Sequence, residues 1–403
     1  MEINKKLLFT VLSQIKAHKK VVVFRDSLKK GFIEILYCPE WKNSTVPHCV
    51  NKISFHIDGS ETNLFENPSV EKIGKPVLLY VNRIKDALKK AQGCFFIDGC
   101  INGIKVEVDK SEIQVYSLLN YIVTTYKRYE KVIKGNIILN EVTFEKTDYS
   151  YMVFECSKFS GVDPAREYMD GICIDFYEGG KDYVYIIAND GRKQILLKHK
   201  YSHRVCANKD DGQFKIRYDY LFTPGSNYDS VRFEFKDKYC QIFISTIDYT
   251  FESILVCSDY QYPNYIRVIP NEAERNHWVT ISTASIKSLV NSIKDLIKEK
   301  DTLYLNAEDP ENLKLNIEGS QSFDIDGKAS RPMILSFAWK HISPCLFDKL
   351  PYTKFFLNSS NESFITHENK PDKGISFDII KIFMPIKDKF YLSADYDEYR
   401  IPK

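Results

Sequence analysis

Residues 258–270, with the sequence SDYQYPNYIRVIP, decide the fold of this chain. Pro263 and Pro270 fix the backbone φ angle twice within this short segment. A helical pattern of apolar residues follows soon after, around Ile286. Two prolines placed ahead of a helix are typical of a rigid connector between domains. We therefore predict a domain boundary at residue 270, and we call residues 258–270 the connector.

Length and composition favour a globular protein of several domains. The chain has 403 residues, of which 44% are hydrophobic and 27% charged, and this suits two or three domains better than one core. No apolar run approaches the roughly 18 residues that span a bilayer, and Lys5 and Lys6 interrupt any secretory signal. We expect a cytoplasmic protein that does not bind a membrane.

Charge and cysteine usage narrow the possible functions. The net charge of +2 excludes a polycation that grips nucleic acid with every face, but it permits positive charge on one surface. The ten cysteines are scattered without a CxxC pair, so we expect reduced, buried side chains and no zinc site.

Strands with a period of two recur along the chain. Apolar residues alternate with polar ones in residues 104–109, 231–236 and 313–318, as in strands with one buried face. These segments lie roughly 80 to 130 residues apart, which indicates one structural unit used repeatedly.

Three amphipathic helices are predicted, and each has basic residues beside its apolar stripe. The stripes contain Leu8, Leu12 and Ile15; Val81, Ile84, Leu88 and Ala91; and Ile286, Leu289, Val290, Ile293 and Ile297. The basic residues are Lys16, Lys19, Lys20, Arg83, Lys89, Lys90, Lys287, Lys294 and Lys298. Each cluster alone is typical of a solvated helix face. If the repeats formed a ring with helices inward, however, the clusters would line it and contact phosphates without reading bases.

Several segments together resemble one protein family. The connector resembles the segment before the third domain of the bacterial DNA polymerase III β subunit, the sliding clamp. The turn at Asp190 and Gly191 is similar to a family turn between strands, and residues 382–387 to the Met-Pro element at the family's end. Residues 75–93, 279–300, 303–317 and 337–350 resemble further helices and strands, and residues 98–118 the hairpins after the first of them.

This resemblance implies an α+β fold of three tandem copies of the DNA-clamp (processivity-factor) unit. The helices would line the inside of a ring, and antiparallel sheets would form the outside. The implied domains are residues 1–135, which diverge most, residues 136–270 and residues 271–387, followed by a C-terminal extension at 388–403.

The resemblance also implies a function without catalysis or cofactors. Sliding clamps of this family are homodimeric rings that encircle double-stranded DNA without sequence preference and hold the replicative polymerase for processive synthesis. Polymerase and clamp loader bind through short peptide motifs. The basic helix residues above would face the DNA.

Partner peptides of the family bind a pocket at the junction of the second and third domains. The matching residues here are Met169, Asn189, Gly191, Arg192, Lys193, Gln194, Pro263, Arg267, Val268, Ala338, His341, Asn361, Ser363, Phe383, Met384, Pro385 and Ile386. Lys193, Gln194, Ala338 and His341 depart from the family pattern, so the partner motif is expected to differ.

Other interpretations stay open. A clamp-derived monomer could act as an adaptor or regulator of a replication complex without closing a ring. Asp237 with Asp248, or Asp324 with Asp326, could be drawn as a nuclease metal site, although Gly327 and Lys328 favour a hairpin. His199 and His203 have the spacing of half a metal site, but a third ligand is missing and we expect surface histidines. The extension could cover the pocket, fray, or add an edge strand.

Overall fold

The computed structural model describes residues 2–3, 5–15, 21–26, 32–39, 48–56, 77–90, 95–96, 112–161, 166, 169–178, 182–200, 212–222, 228–246, 249–257, 262–269, 277–293, 302–317, 322–346, 351–358, 363–369, 375–383 and 391–392. The helices are α1 (Lys5–Gln14), α2 (Val81–Lys90), α3 (Glu112–Gly135), α4 (Lys146–Phe159), α5 (Thr283–Ile293) and α6 (Trp339–Ile342).

The strands are β1 (Glu2–Ile3), β2 (Val21–Asp26), β3 (Phe32–Tyr37), β4 (Cys49–His56), β5 (Val77–Tyr80), β6 (Phe95–Phe96), β7 (Asn140–Glu145), β8 (Ile172–Asp175), β9 (Tyr183–Asn189), β10 (Lys193–Lys200), β11 (Gln213–Ile216), β12 (Tyr228–Lys236), β13 (Tyr239–Thr246), β14 (Tyr249–Val256), β15 (His277–Ser282), β16 (Thr302–Ala307), β17 (Leu313–Ile317), β18 (Ser322–Ile325), β19 (Gly327–Ala329), β20 (Met333–Ala338), β21 (Tyr352–Asn358), β22 (Ser363–Asn369), β23 (Asp378–Phe383) and β24 (Tyr391–Leu392).

A strand that passes directly into a helix recurs in this list. Strand β5 continues into α2, β7 into α4, β15 into α5 and β20 into α6, in each case without an intervening loop. The recurrence agrees with the repeated unit that the sequence predicts. The chain divides into two compact units: Met1–Val153 with Tyr201–Asp259, and Phe154–Lys200 with Tyr260–Lys403.

The first unit is built on an antiparallel sheet of eight strands in the order β5-β2-β3-β4-β14-β13-β12-β7. Helices cover both faces of this sheet. Ile254 of β14 contacts α3 in a cluster with Val50 and Tyr126. Its neighbours in β14 point the other way. On that side Phe251 stacks on Phe222 at 4.2 Å, and the Phe222 carbonyl accepts a hydrogen bond from Tyr149 of α4. Helices α3 and α4 therefore lie on opposite faces.

The second unit contains two antiparallel sheets. Eight of its strands are hydrogen-bonded in the order β8-β9-β10-β23-β22-β21-β15-β19, and five others in the order β18-β17-β16-β20-β24. One face of the larger sheet packs against α4 through a buried ion pair. The Lys381 ammonium lies 2.9 Å from the Glu155 carboxylate and donates a 3.0 Å hydrogen bond to the Pro344 carbonyl. The connector covers the opposite face.

Each large sheet joins strands from two of the predicted domains. In the first unit, β2 to β5 come from residues 1–135 and the other four strands from residues 136–270. The second unit combines β8 to β10 with strands from residues 271–387 in the same way. Backbone pairing thus continues across the predicted boundaries, and the three-domain division stays a prediction.

Most of the predicted elements are present. Alternation is confirmed in β17, whereas in β12 Glu234 and Lys236 are buried along with the apolar residues. The three predicted helices are α1, α2 and α5. The first alternating segment, residues 104–109, lies outside the described residues. The described free cysteines are buried, as expected. No described helix combines the length and the hydropathy that crossing a bilayer requires.

Two expectations about local structure are wrong, and one holds only in part. Hairpins were expected up to residue 118, but α3 begins at Glu112 and runs for 24 residues. A helical segment was expected over residues 337–350; Phe337 belongs to β20, but residues 339–345 are helical, as α6 and a 3₁₀ turn, Ser343–Cys345. His199 is buried rather than exposed, and its Nδ1 lies 3.0 Å from the Ser376 hydroxyl. His203 lies outside the described residues.

The described part of the C-terminal extension adds an edge strand. Leu392 pairs with Met333, and Tyr391 with Ile334 of β20. Of the three alternatives for this extension, an added strand therefore describes Tyr391–Leu392.

Candidate functional site

The turn between β9 and β10 is held by its own side chains. The Asp190 carboxylate accepts 2.9 Å hydrogen bonds from the backbone amides of Arg192 and Lys193, and the Asn189 side chain accepts one of 2.8 Å from Gly191. Gly191 has a φ of 82°, which only glycine adopts at little cost. The turn between strands that the sequence predicts at Asp190 and Gly191 is confirmed. The result is a fixed turn that joins the ends of β9 and β10.

The connector packs on the sheet beside this turn through two tyrosines. Tyr262 and Tyr265 are buried against Cys173, Leu196 and Ile380. A 3₁₀ turn, Tyr265–Val268, follows Pro263. The chain therefore stays close to the sheet without forming a regular element.

Tyr265 is anchored by a buried carboxylate. Its hydroxyl donates a 2.9 Å hydrogen bond to Asp175, which is fully buried and also accepts bonds from the backbone amides of Tyr177 and Glu178. Burial and the nearby Asp175 charge raise the pKa of Tyr265 far above its usual value. The phenol stays protonated, so it keeps donating to Asp175.

A pocket of about 210 Å³ lies between the turn and the connector. Its lining consists of Arg166, Met169, Asn189, Gly191, Arg192, Lys193, Gln194, Pro263, Asn264, Tyr265, Val268 and Ile382. Pockets that bind drug-sized ligands have volumes of roughly 300–1,000 Å³. This pocket is smaller, and it suits one or two side chains of a bound peptide.

The pocket has an apolar floor and a basic rim. Met169, Tyr265 and Ile382 are buried and offer carbon surface to an incoming side chain. At the rim, Lys193 lies 2.6 Å from the Asp190 carboxylate, so the two charges offset each other. Arg192 is exposed and contributes a further positive charge, and the exposed Arg166 also lines the pocket. The site favours an apolar anchor that is followed by an acidic group.

His341 of α6 lies within the electrostatic field of the same turn. Burial lowers its pKa below the usual 6.5, and the positive charges of Lys193 and Arg192 act in the same direction. The opposing attraction of Asp190 is weaker than the effect of burial. His341 is therefore neutral at physiological pH and can act as a hydrogen-bond donor or acceptor.

The structure brings together part of the predicted pocket. The lining includes Met169, Asn189, Gly191, Arg192, Lys193, Gln194, Pro263 and Val268. Arg267 is exposed on the connector, Ala338 is buried at the end of β20, and Ser363 begins β22. Asn361, Met384, Pro385 and Ile386 lie outside the described residues.

Phe383 is placed in the core of the second unit. Its ring meets that of Phe355 edge-on at 5.6 Å. Ile382, its neighbour in β23, points to the other face and lines the pocket. Sequence reasoning missed Ile382, Arg166, Asn264 and Tyr265 as lining residues. The period of two in residues 378–383 could have identified Ile382 as a residue on the pocket side.

The predicted DNA-facing residues are only partly described. Lys89 is exposed on α2 and Lys287 is half-buried on α5, while Arg83 and Lys90 lie in α2. The remaining residues lie outside the described part of the chain, namely Lys16, Lys19, Lys20, Lys294 and Lys298.

Metal chemistry has no support in the described part of the chain. Asp324 and Asp326 are exposed near the junction of β18 and β19, and Asp326 accepts a hydrogen bond from Tyr352. Asp237 occupies a turn with a φ of 51°, and Asp248 is not described. Within the described ranges, no three histidine, cysteine or acidic side chains could together hold a metal ion.

Comparison with solved structures identifies the fold. The sliding clamp of Bartonella birtlesii, solved with bound griselimycin, matches with a TM-score of 0.66 at 12% identity. The clamps of Pseudomonas aeruginosa and Caulobacter crescentus match with TM-scores of 0.64 at 12% and 10% identity. Each match covers 96% of this chain and 99% of the solved one. The chain has the sliding-clamp fold, which confirms the predicted α+β architecture with antiparallel sheets.

Sequence comparison finds no such likeness. No family model matches the chain, and no curated protein matches it either. The fold is thus recognised through its backbone and through short segments such as the connector.

Proposed function

We propose that this chain is a divergent DNA sliding clamp of the bacterial DNA polymerase III β-subunit type. Two copies would close into a ring around duplex DNA and tether the replicative polymerase in the cytoplasm. The observation that carries the proposal is the likeness to solved sliding clamps over 96% of the chain. The role needs no catalytic group or cofactor, because a closed ring holds its partner by topology.

In this proposal the basic helix residues contact DNA phosphates. Lys89 and Lys287 would act together with Lys16, Lys19, Lys20, Arg83, Lys90, Lys294 and Lys298. Contacts with phosphates alone are weak and independent of sequence, which permits sliding.

The solution mass of the protein and its activity on circular and cut DNA test whether it forms a ring. The protein should have a solution mass of about 94 kDa, twice the 47.0 kDa of one chain. With its polymerase and loader it should support long products on primed circular DNA and lose them when the circle is cut. A monomeric mass, with equal synthesis on circular and cut DNA, would favour the adaptor instead.

The pocket would bind the peptide motifs of polymerase and loader. Val268→Asp places a carboxylate against the apolar floor, and Arg267→Ala removes a neighbouring cation. We expect each to impair processive synthesis while the dimer mass is kept. Val256→Asp is the matched control, because Val256 packs with similar burial against the α3 cluster of the first unit. Loss of synthesis in the control alone would contradict the assignment of the pocket.

A further inference from the structure

Helix α3 has a basic face directed away from the sheet on which it packs. Its buried residues Ile122, Tyr126, Tyr129 and Ile133 recur at helical spacing. The exposed residues from 122 onward are Thr124, Lys127, Arg128, Lys131, Lys134 and Gly135. Residues 127–134 thus present four cations to solvent, over about 10 Å of the helix.

This positive charge is largely uncompensated. Glu130 is the single acidic residue in residues 122–135, and it lies 3.0 Å from Lys134. Lys127, Arg128 and Lys131 form no ion pair with any residue that the structure describes. Three cations are therefore available to a negatively charged ligand.

The chemistry of the face favours nucleic-acid phosphates over other anionic partners. The exposed positions from Thr124 to Gly135 hold no apolar side chain that a protein partner could bury, and Ile137, which is exposed and apolar, lies beyond the end of the helix. The apolar side of α3 is buried against the sheet and cannot insert into a membrane. A nucleic-acid strand offers a charge every 3.4 Å or so, and it needs only positive charge and solvent access.

We propose that the exposed face of α3 binds the phosphate backbone of a nucleic acid without sequence preference. Within the first unit this face is separate from α4, because α3 and α4 lie on opposite faces of the same sheet. The contact requires neither ring closure nor the peptide pocket. The face shares no residue with the set assigned above to the encircled duplex, so it would be a second nucleic-acid site.

The test uses the full-length protein and short linear oligonucleotides, which a ring cannot retain by topology. The variant Lys127→Gln with Arg128→Gln and Lys131→Gln keeps good helix formers and removes three charges. Fluorescence anisotropy is measured from about 50 to 200 mM salt with labelled single strands and duplexes. We expect a roughly 30- to 100-fold loss of affinity at low salt, and a salt slope lower by about two for single strands and by nearly three for duplexes.

Matched control variants test whether a loss of oligonucleotide binding comes from the α3 face or from another change in the protein. Lys200→Gln with Lys314→Gln and Lys328→Gln removes three exposed charges from the second unit and should leave binding close to wild type. Ile137→Ser changes an apolar side chain that is 81% exposed just beyond α3, and it should also have little effect. Circular dichroism confirms that each variant is folded.

Three outcomes would overturn the proposal. The first is that the α3 variant binds oligonucleotides as well as the second-unit control does. The second is that poly-glutamate competes as strongly as DNA per charge, which would indicate a site for acidic protein segments. The third is that anionic vesicles bind the wild type and bind the α3 variant more weakly, while DNA binding is the same for both proteins. A monomeric mass in solution would contradict only the proposed ring, since the α3 contact does not depend on ring closure.

Discussion

The two large sheets are covered on corresponding faces by segments of different construction. In the first unit, α3 lays a stripe of buried residues along the strands β3, β4 and β14. In the second unit, the connector reaches the sheet with Tyr262 and Tyr265 and then turns away after Val268. A helix gives continuous cover, whereas the short connector leaves a pocket beside the Gly191 turn.

The difference between the two segments indicates which kind of binding site each of them leaves accessible. A regular helix satisfies its backbone hydrogen bonds internally and buries one face completely, so what remains for ligands is its solvent side. An irregular segment with proline leaves gaps that a partner's side chain can fill. The first unit therefore presents the positively charged face of α3, and the second unit presents the pocket beside the Gly191 turn.

Removal of one aromatic anchor from each cover should have the largest effect. Tyr265→Ala and Tyr126→Ala each delete a buried ring, and we expect a loss of about 3–5 kcal/mol in the free energy of unfolding. Chemical denaturation with far-UV circular dichroism measures both. Tyr265→Ala should also abolish partner binding, whereas Tyr126→Ala should leave it intact. Equal effects of the two variants on partner binding would break the comparison.

Alkaline pH should lower the free energy of unfolding by a smaller amount, through the packing of α3 on its sheet. Burial raises the pKa of Tyr126 to about 12, and its hydroxyl accepts a 2.8 Å hydrogen bond from Lys52. Since the unfolded pKa is about 10, the folded state holds this proton more tightly. This contribution is complete below pH 10 and is lost as the pH rises to 12, on the order of 2–3 kcal/mol.

Unfolding midpoints between pH 8 and pH 12 measure this effect. Tyr126→Phe cannot ionise at this position, so its stability should fall less steeply than that of wild type over the same interval. Parallel curves would show that the proton of Tyr126 does not contribute.

Two glycines give the smallest expected effects, with opposite signs. Gly191→Ala forces a side chain to adopt a φ of 82° and brings its Cβ within 2.9 Å of the Met169 methyl group, which should cost about 1–2 kcal/mol and weaken partner binding. Gly135→Ala has open space at the end of α3 and should be neutral, or stabilise by up to about 1 kcal/mol. Thermal unfolding compares them. A stabilised Gly191→Ala would contradict the fixed turn.

Prediction from the sequence succeeded where local chemistry dominates. The Asp190 and Gly191 turn depends on hydrogen bonds within four residues, and the period of two in β17 reports one buried face. Helix α3 was missed although Ile122, Tyr126, Tyr129 and Ile133 carry its period, because the family resemblance assigned residues 98–118 to hairpins and predicted no element for the residues that follow. The pattern was present, and the prior expectation obscured it.

The sequence by itself determined the repeated strands, three helices, the turn and the connector, since each rests on residues close together in the chain. Only the tertiary structure decided that Ile382 lines the pocket and Phe383 does not, and that α3 covers a sheet. These facts depend on contacts between distant residues and on which side of a strand faces a neighbour. A shift of one residue reverses that side, and packing across the sheet fixes it.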